Sequence, residues 1–114
     1  MRIERGSIVL VGLDPTHGHE QRGTRPCVIV SDSDVSADQR FPLVAVVPIS
    51  TRAGEGALYP PLSAGTSGLR KSSFALVDQI RSVDKRRIER VFGQLPPSEI
   101  AVIDEGLVLF LGLA

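Results

Sequence analysis

Short apolar runs cut by turn residues constrain this chain more than any other feature. Residues 7–13 (SIVLVGL) follow Gly6 and stop at Asp14-Pro15, a turn pair. Residues 27–31 and 43–49 are two more runs rich in β-branched side chains, suited to buried strands. Pro60 and Pro61 cannot both donate to a central ladder, so residues 57–62 are predicted as a short edge strand. Residues 74–80 alternate Phe74, Leu76, Asp78 and Ile80 against Ala75, Val77 and Gln79. A strand there has one largely apolar face, with Asp78 the exception. The Gly- and Pro-bearing stretch 52–69 reads as exposed loops around the edge strand.

Helical signals gather in the last quarter. Asp84 suits the N-cap of a short turn over residues 85–90, with its basic residues turned outward. Pro96-Pro97 opens a longer helix, with Pro97 at its first position and Glu99 near its positive end. Ile100, Ile103, Leu107 and Phe110 recur at helical spacing and are expected to face the sheet. Val102, Leu109 and Leu113 add more apolar surface than one packing face requires, enough to serve a partner. The pattern predicts a β-rich α+β fold, in one domain over residues 1–114. Its antiparallel sheet is small and strongly bent, or an open barrel, with a short helix and a C-terminal α-helix.

Charge and composition narrow the functions. The 13 Lys and Arg offset 13 Asp and Glu, so attraction of the whole molecule to a polyanion is not built in. Phosphate binding must then come from a local patch. Aromatic residues make up 4%, too few for an extended stacking surface. Cys27 has no intramolecular partner, and its apolar surroundings predict a buried, inert thiol suited to a reducing cytoplasm. No charged-then-apolar leader opens the chain, and no apolar run approaches the roughly 20 residues of a membrane span. A cytoplasmic location without a membrane is expected.

Polar chemistry concentrates at the entry of the second run, in HGHEQRGTR from His17 to Arg25. His17 and His19 resemble two metal ligands, yet no third histidine or cysteine pair completes a zinc set, so neither metal nor other cofactor is expected. No Gly-x-Ser-x-Gly elbow and no phosphate-cradling Gly-x-x-x-x-Gly-Lys run occur. Pro26 restricts Arg25 to extended geometry. Its guanidinium there either offers a fork for phosphate or carboxylate, or closes an ion pair with Glu20 or Asp78. Ser50 and Thr51 set two hydroxyls where the third run stops. Arg81, Lys85, Arg86, Arg87 and Arg90, against Asp84 and Glu89, form either a phosphate patch or a solvated helix face.

An ordered set of motifs spans nearly the whole chain. Arg5-Gly6, Leu13-Asp14-Pro15, Gly18, Glu20-Gln21, Gly23 and Arg25-Pro26 come first. Pro48-Ile49-Ser50-Thr51, then DQIRSVDK from Asp78 to Lys85, Gly93-Gln94-Leu95 and the final helix follow. Together they resemble the MazF/PemK toxins. The resemblance implies an SH3-like barrel, a homodimer, and the endoribonuclease (mRNA interferase) half of a type II toxin–antitoxin pair. Such an enzyme cuts single-stranded RNA without metal, through attack of a ribose 2′-hydroxyl on the adjacent phosphate. The ends left are a 2′,3′-cyclic phosphate and a 5′-hydroxyl, and the partners are RNA and a cognate antitoxin.

By the same resemblance Arg25 is the catalytic arginine, and Ser50 stands where the family usually carries threonine. Thr51, next along, offers the same hydroxyl. The RNA-binding set is His17, His19, Glu20, Gln21, Arg22, Ser73, Asp78 and Gln79. A fixed guanidinium suits charge growing on a phosphorane better than it suits proton transfer near neutral pH. Two other functions fit the same fold. One is a gyrase-poisoning toxin that binds protein near the C-terminal helix; the other is a non-catalytic RNA-binding module.

Overall fold

The computed structural model describes residues 2–52, 54–65 and 67–113. Its strands are β1 Ser7–Gly12, β2 Thr24–Ile29, β3 Leu43–Ser50, β4 Pro61–Leu62, β5 Ser73–Ala75, β6 Arg81–Asp84 and β7 Ile88–Gln94. All pair antiparallel in the order β4-β5-β3-β2-β1-β7, with β6 also on β3. The sheet curls into a half-barrel that carries a short helix, α1 Ser33–Ala37, and a long one, α2 Pro97–Leu111. No helix among the described residues is long and apolar enough to cross a membrane.

Period-two alternation sorts the strand residues into two apolar clusters, one on each face of the sheet. Ile8, Val28, Val47 and Ile49 pack with Ile103 and Leu107 of α2. Val9, Val11, Cys27, Ile29, Val44, Val46 and Val83 form the cluster on the other face. Strand β2 begins three residues earlier than expected, so Arg25 lies within it.

Strand β3 changes partner along its length. Its first half pairs with β6, from Leu43↔Asp84 to Val46↔Arg81, and its last two residues pair with β5. Pro48 falls at the change, where the missing N–H deprives neither ladder of a bond. Its carbonyl accepts from the Leu76 N–H at 2.9 Å. That junction overturns the single strand expected over 74–80. The chain leaves β5 after Ala75 and makes a 3₁₀ turn over Val77–Gln79, closed by Gln79 N–H to Leu76 O at 2.9 Å. It re-enters the sheet only at Arg81.

The helical turn expected over 85–90 is also shorter. Asp84 does cap it, accepting from the Arg86 N–H at 2.8 Å, but the 3₁₀ turn covers Lys85–Arg87 and then becomes β7. The sequence reading missed β7. Two register shifts against β1, at Ile8/Val9 and Leu10/Val11, break the alternation that would have marked it. The edge strand over 57–62 shrinks to Pro61–Leu62, consistent with the two prolines. Within 52–69, Pro60, Leu62, Ser67 and Leu69 are buried rather than exposed, and positions 53 and 66 lie outside the described residues. Helix α1 was also unforeseen, although Asp32 Oδ2 caps it by accepting from the Asp34 N–H at 3.0 Å.

Helix α2 starts at Pro97 as expected, but Phe110 is exposed, because the last turn runs past the cluster in which Leu107 packs. Arg5 ties this helix to the sheet. Its Nη1 donates to Asp104 Oδ2 at 3.0 Å, its Nη2 to Asp104 Oδ1, and its Nε to Val30 O at 3.2 Å. Gly6, at φ 89°, lies so close beneath Ile100 and Gln94 that a Cβ would collide with both. Gly106 gives α2 its close approach to the 3₁₀ turn: a Cβ there would sit 3.0 Å from the Ala57 carbonyl and 3.2 Å from Val77.

Candidate functional site

The loop between β1 and β2 is held by backbone-directed bonds. Leu13 N–H donates to Gly23 O at 2.9 Å and closes its neck. Arg81 Nη1 donates to Leu13 O at 3.0 Å, and Arg87 Nη1 to Gly12 O at 3.2 Å and Asp14 O at 2.6 Å. At the tip, His17 N–H donates to Glu20 Oε1 at 2.5 Å and Glu20 N–H to His17 O at 3.2 Å. Gln79, from the 3₁₀ turn, accepts from Gln21 N–H at 2.8 Å and donates to His19 O at 3.3 Å.

The basic residues of 81–90 therefore do not form a helix face. Arg81 and Arg87 donate to loop carbonyls, and Lys85 Nζ donates to Val35 O and Asp38 O at 3.1 and 2.9 Å. Arg86 pairs with Asp84 at 3.0 Å, and Arg90 lies 4.8 Å over the Phe92 ring.

A cleft of about 320 Å³ opens between loop and turn. The loop contributes His19, Glu20 and Gln21, the turn and β6 contribute Asp78, Gln79 and Arg81, and Leu13 and Pro48 lie between. Five of the anticipated RNA-binding residues thus meet at one place. His17 and Arg22 do not line it. Ser73 is buried in β5, where its hydroxyl donates to Lys71 O at 2.9 Å. Sequence reading left Arg81 out of the site; its place in the DQIR run, two residues before buried Val83, was the signal.

Asp78 is only half satisfied. Tyr59 donates its hydroxyl to Asp78 Oδ2 at 2.6 Å, and this bond pushes the phenol pKa up. Asp78 Oδ1 is buried and meets no donor among the described residues. An acceptor left bare in this way costs free energy until a donor reaches it.

Arg25 is exposed and makes no ion pair with Glu20 or Asp78; its Nε donates to Arg22 O at 2.9 Å. Alternation fixes its side of the sheet. Cys27 and Ile29 belong to the cluster away from α2, so Arg25 shares that face. Val44 and Val46 put Pro48 and Ser50 on the same face, and Val83 does so for Arg81. The register that pairs Cys27 with Pro48, carried on two residues, runs Arg25 opposite Ser50. Ser50 Oγ accepts from the Arg52 N–H at 3.1 Å, which leaves its own proton to donate. Thr51 is exposed just past the strand end. The Cys27 thiol is pushed up to about 12 by burial, against the opposing pull of the Arg81 charge, and is an inert member of the core.

Known proteins share this fold. Residues 4–111 match the family described as PemK-like, MazF-like toxin of type II toxin-antitoxin system. Endoribonuclease MazF9 of Mycobacterium tuberculosis is 36% identical over 117 residues, covering 97% of this chain and 98% of that protein. MazF from Deinococcus radiodurans superposes with a TM-score of 0.84 at 26% identity, over 98% of each chain. The MazE-MazF structure from the same organism gives a TM-score of 0.78 at 26% identity, covering 100% of this chain and 99% of that one. A family match across nearly the whole chain, together with the same fold and a relative 36% identical, places the chain in the PemK/MazF family of toxins from type II toxin–antitoxin systems.

Proposed function

We propose that this endoribonuclease toxin cuts single-stranded RNA without a metal ion, by attack of a ribose 2′-hydroxyl on the adjacent phosphate. The ends left are a 2′,3′-cyclic phosphate and a 5′-hydroxyl. The observation that carries the reading is that Arg25 and Ser50 share one sheet face at adjacent strand ends, beside a polar cleft. A guanidinium there neutralises charge growing on the phosphorane oxygens, the preorganised kind of stabilisation that dominates much catalysis. The Ser50 hydroxyl accepts from the Arg52 N–H and keeps its own proton free to donate to the same oxygens. Ser50 is the last residue of β3 and falls opposite Arg25 in the register, whereas Thr51 lies past the strand end, which favours Ser50 as the partner of Arg25.

Bases splayed from the strand enter the cleft, where His19, Glu20, Gln21 and Asp78 meet their edges, as single strands are commonly read. The exposed end of α2, with Leu109, Phe110 and Leu113, supports a homodimer. The relative crystallised as MazE-MazF supports an antitoxin as the regulatory partner.

Mass spectrometry of the products tests the chemistry. Wild type and Arg25→Ala are each incubated with mixed-sequence RNA in excess EDTA. Cyclic-phosphate fragments are expected from wild type, and cleavage at least about 10²-fold slower from the variant, the scale of losing one charge-stabilising group. RNA left intact by folded wild type would sink the metal-free reading.

A further inference from the structure

We infer that Gln79 is a positioning residue: its carboxamide moors the backbone of the β1–β2 loop, so that His19, Glu20 and Gln21 already stand in the cleft when RNA arrives. The functional half of this inference rests on the RNA-cleaving reading above; the mooring itself does not.

Gln79 reaches the loop across some sixty positions of sequence, and both ends of its amide are engaged there. Oε1 accepts from the Gln21 N–H at 2.8 Å and Nε2 donates to the His19 carbonyl at 3.3 Å. The orientation is fixed by its partners, because a backbone N–H needs an acceptor and a backbone carbonyl needs a donor. The reversed amide would set donor against donor and acceptor against acceptor.

Apart from Gln79, no residue outside the loop bonds to His19, Glu20 or Gln21 among the described residues, although Arg25 Nε holds the carbonyl of the next residue, Arg22, at 2.9 Å. Arg81, Arg87 and the Leu13–Gly23 bond hold its neck, and the His17–Glu20 bonds lie within the tip itself. Gly18 and Gly23, both at positive φ, add backbone freedom. Without Gln79 the segment that carries the cleft side chains must be ordered afresh each time RNA binds, which weakens binding. The chemical step is expected to change little, since strand β2 carries Arg25 and only its Nε bond to Arg22 O leads back into the loop. A residue that read a base edge would leave the loop alone and change which base is accepted. Gln79 is expected to do the reverse.

Two full-length variants separate these roles. In Gln79→Met, of similar shape but without the amide, the Gln21 amide proton is expected to lose its protection from hydrogen exchange, followed by NMR. KM for RNA rises about tenfold, as for two neutral hydrogen bonds lost. Values of kcat stay within about twofold and the cleavage sequence is unchanged. In Gln79→Glu the acceptor survives, and the Gln21 amide stays protected. Unaltered Gln21 exchange in Gln79→Met overturns the mooring, as does a switch of base preference at the cut site with the protection intact. Lost protection with KM unchanged overturns the positioning role. Should wild type prove unable to cut RNA, the ribonuclease reading fails, while the exchange data still decide the mooring.

Discussion

At the scale of single residues, the site depends on which side of a strand a side chain leaves. Ser50 and Thr51 are equivalent on paper, and both hydroxyls follow the same apolar run. They separate only when the ends of β3 are known, since one residue of shift moves a side chain to the opposite face. Arg25 was legible as an unusual residue because of Pro26. Its bond to the Arg22 carbonyl was not, because an ion pair with Glu20 or Asp78 satisfies the same sequence. Asp84 shows the opposite case, a role visible early and kept. Its carboxylate accepts from the Arg86 guanidinium and backbone, which depress its pKa from 3.8 to about 2. The stabilisation it gives is full above pH 3.8 and is lost as pH falls through about 2. Titration of its carboxyl carbon by NMR is expected to give that low midpoint, and Arg86→Ala to return it toward 3.8.

At the scale of elements, β1, β2, β3 and α2 could be read because their own residues specify them. Apolar runs rich in β-branched residues mark the three strands, and Pro97 with the Ile100–Ile103–Leu107 spacing marks the helix. Elements β5, β6 and β7 were misread because their ends are set elsewhere. The break after Ala75 is decided by Pro48 on another strand, and the irregularity of β7 by bulges against β1. Gly106 is a further case. Glycine inside a helix is unfavourable by about 1 kcal/mol relative to alanine, which alone would favour replacement. Here the absent Cβ lets α2 settle against Ala57 and Val77. Gly106→Leu is therefore expected to destabilise the fold by about 2–3 kcal/mol, read from urea unfolding, as overpacking does. Because Val77 opens the turn that carries Asp78 and Gln79, RNA cleavage should fall in that variant at temperatures where it remains folded.

At the scale of the whole molecule, one uncovered region stands out. Leu109, Phe110, Leu111 and Leu113 are 61%, 44%, 49% and 69% exposed, more apolar surface in one place than a lone chain of this size keeps uncovered without use. A dimer through this end of α2 predicts that Leu109→Glu gives monomers in sedimentation velocity, while wild type sediments as a dimer. Identical monomeric behaviour of the two would remove α2 from the interface. The mooring of the β1–β2 loop has a consequence of its own, and it concerns tolerance to mutation rather than stability. Gln79 grips an N–H and a carbonyl, atoms that every residue but proline supplies, and it ignores the side chains it holds up. Mutation can thus rewrite His19, Glu20 and Gln21 without unmooring them. A loop held by its backbone can exchange side chains and keep its anchor, so substitutions at His19, Glu20 or Gln21 are expected to leave the bonds to Gln79 in place.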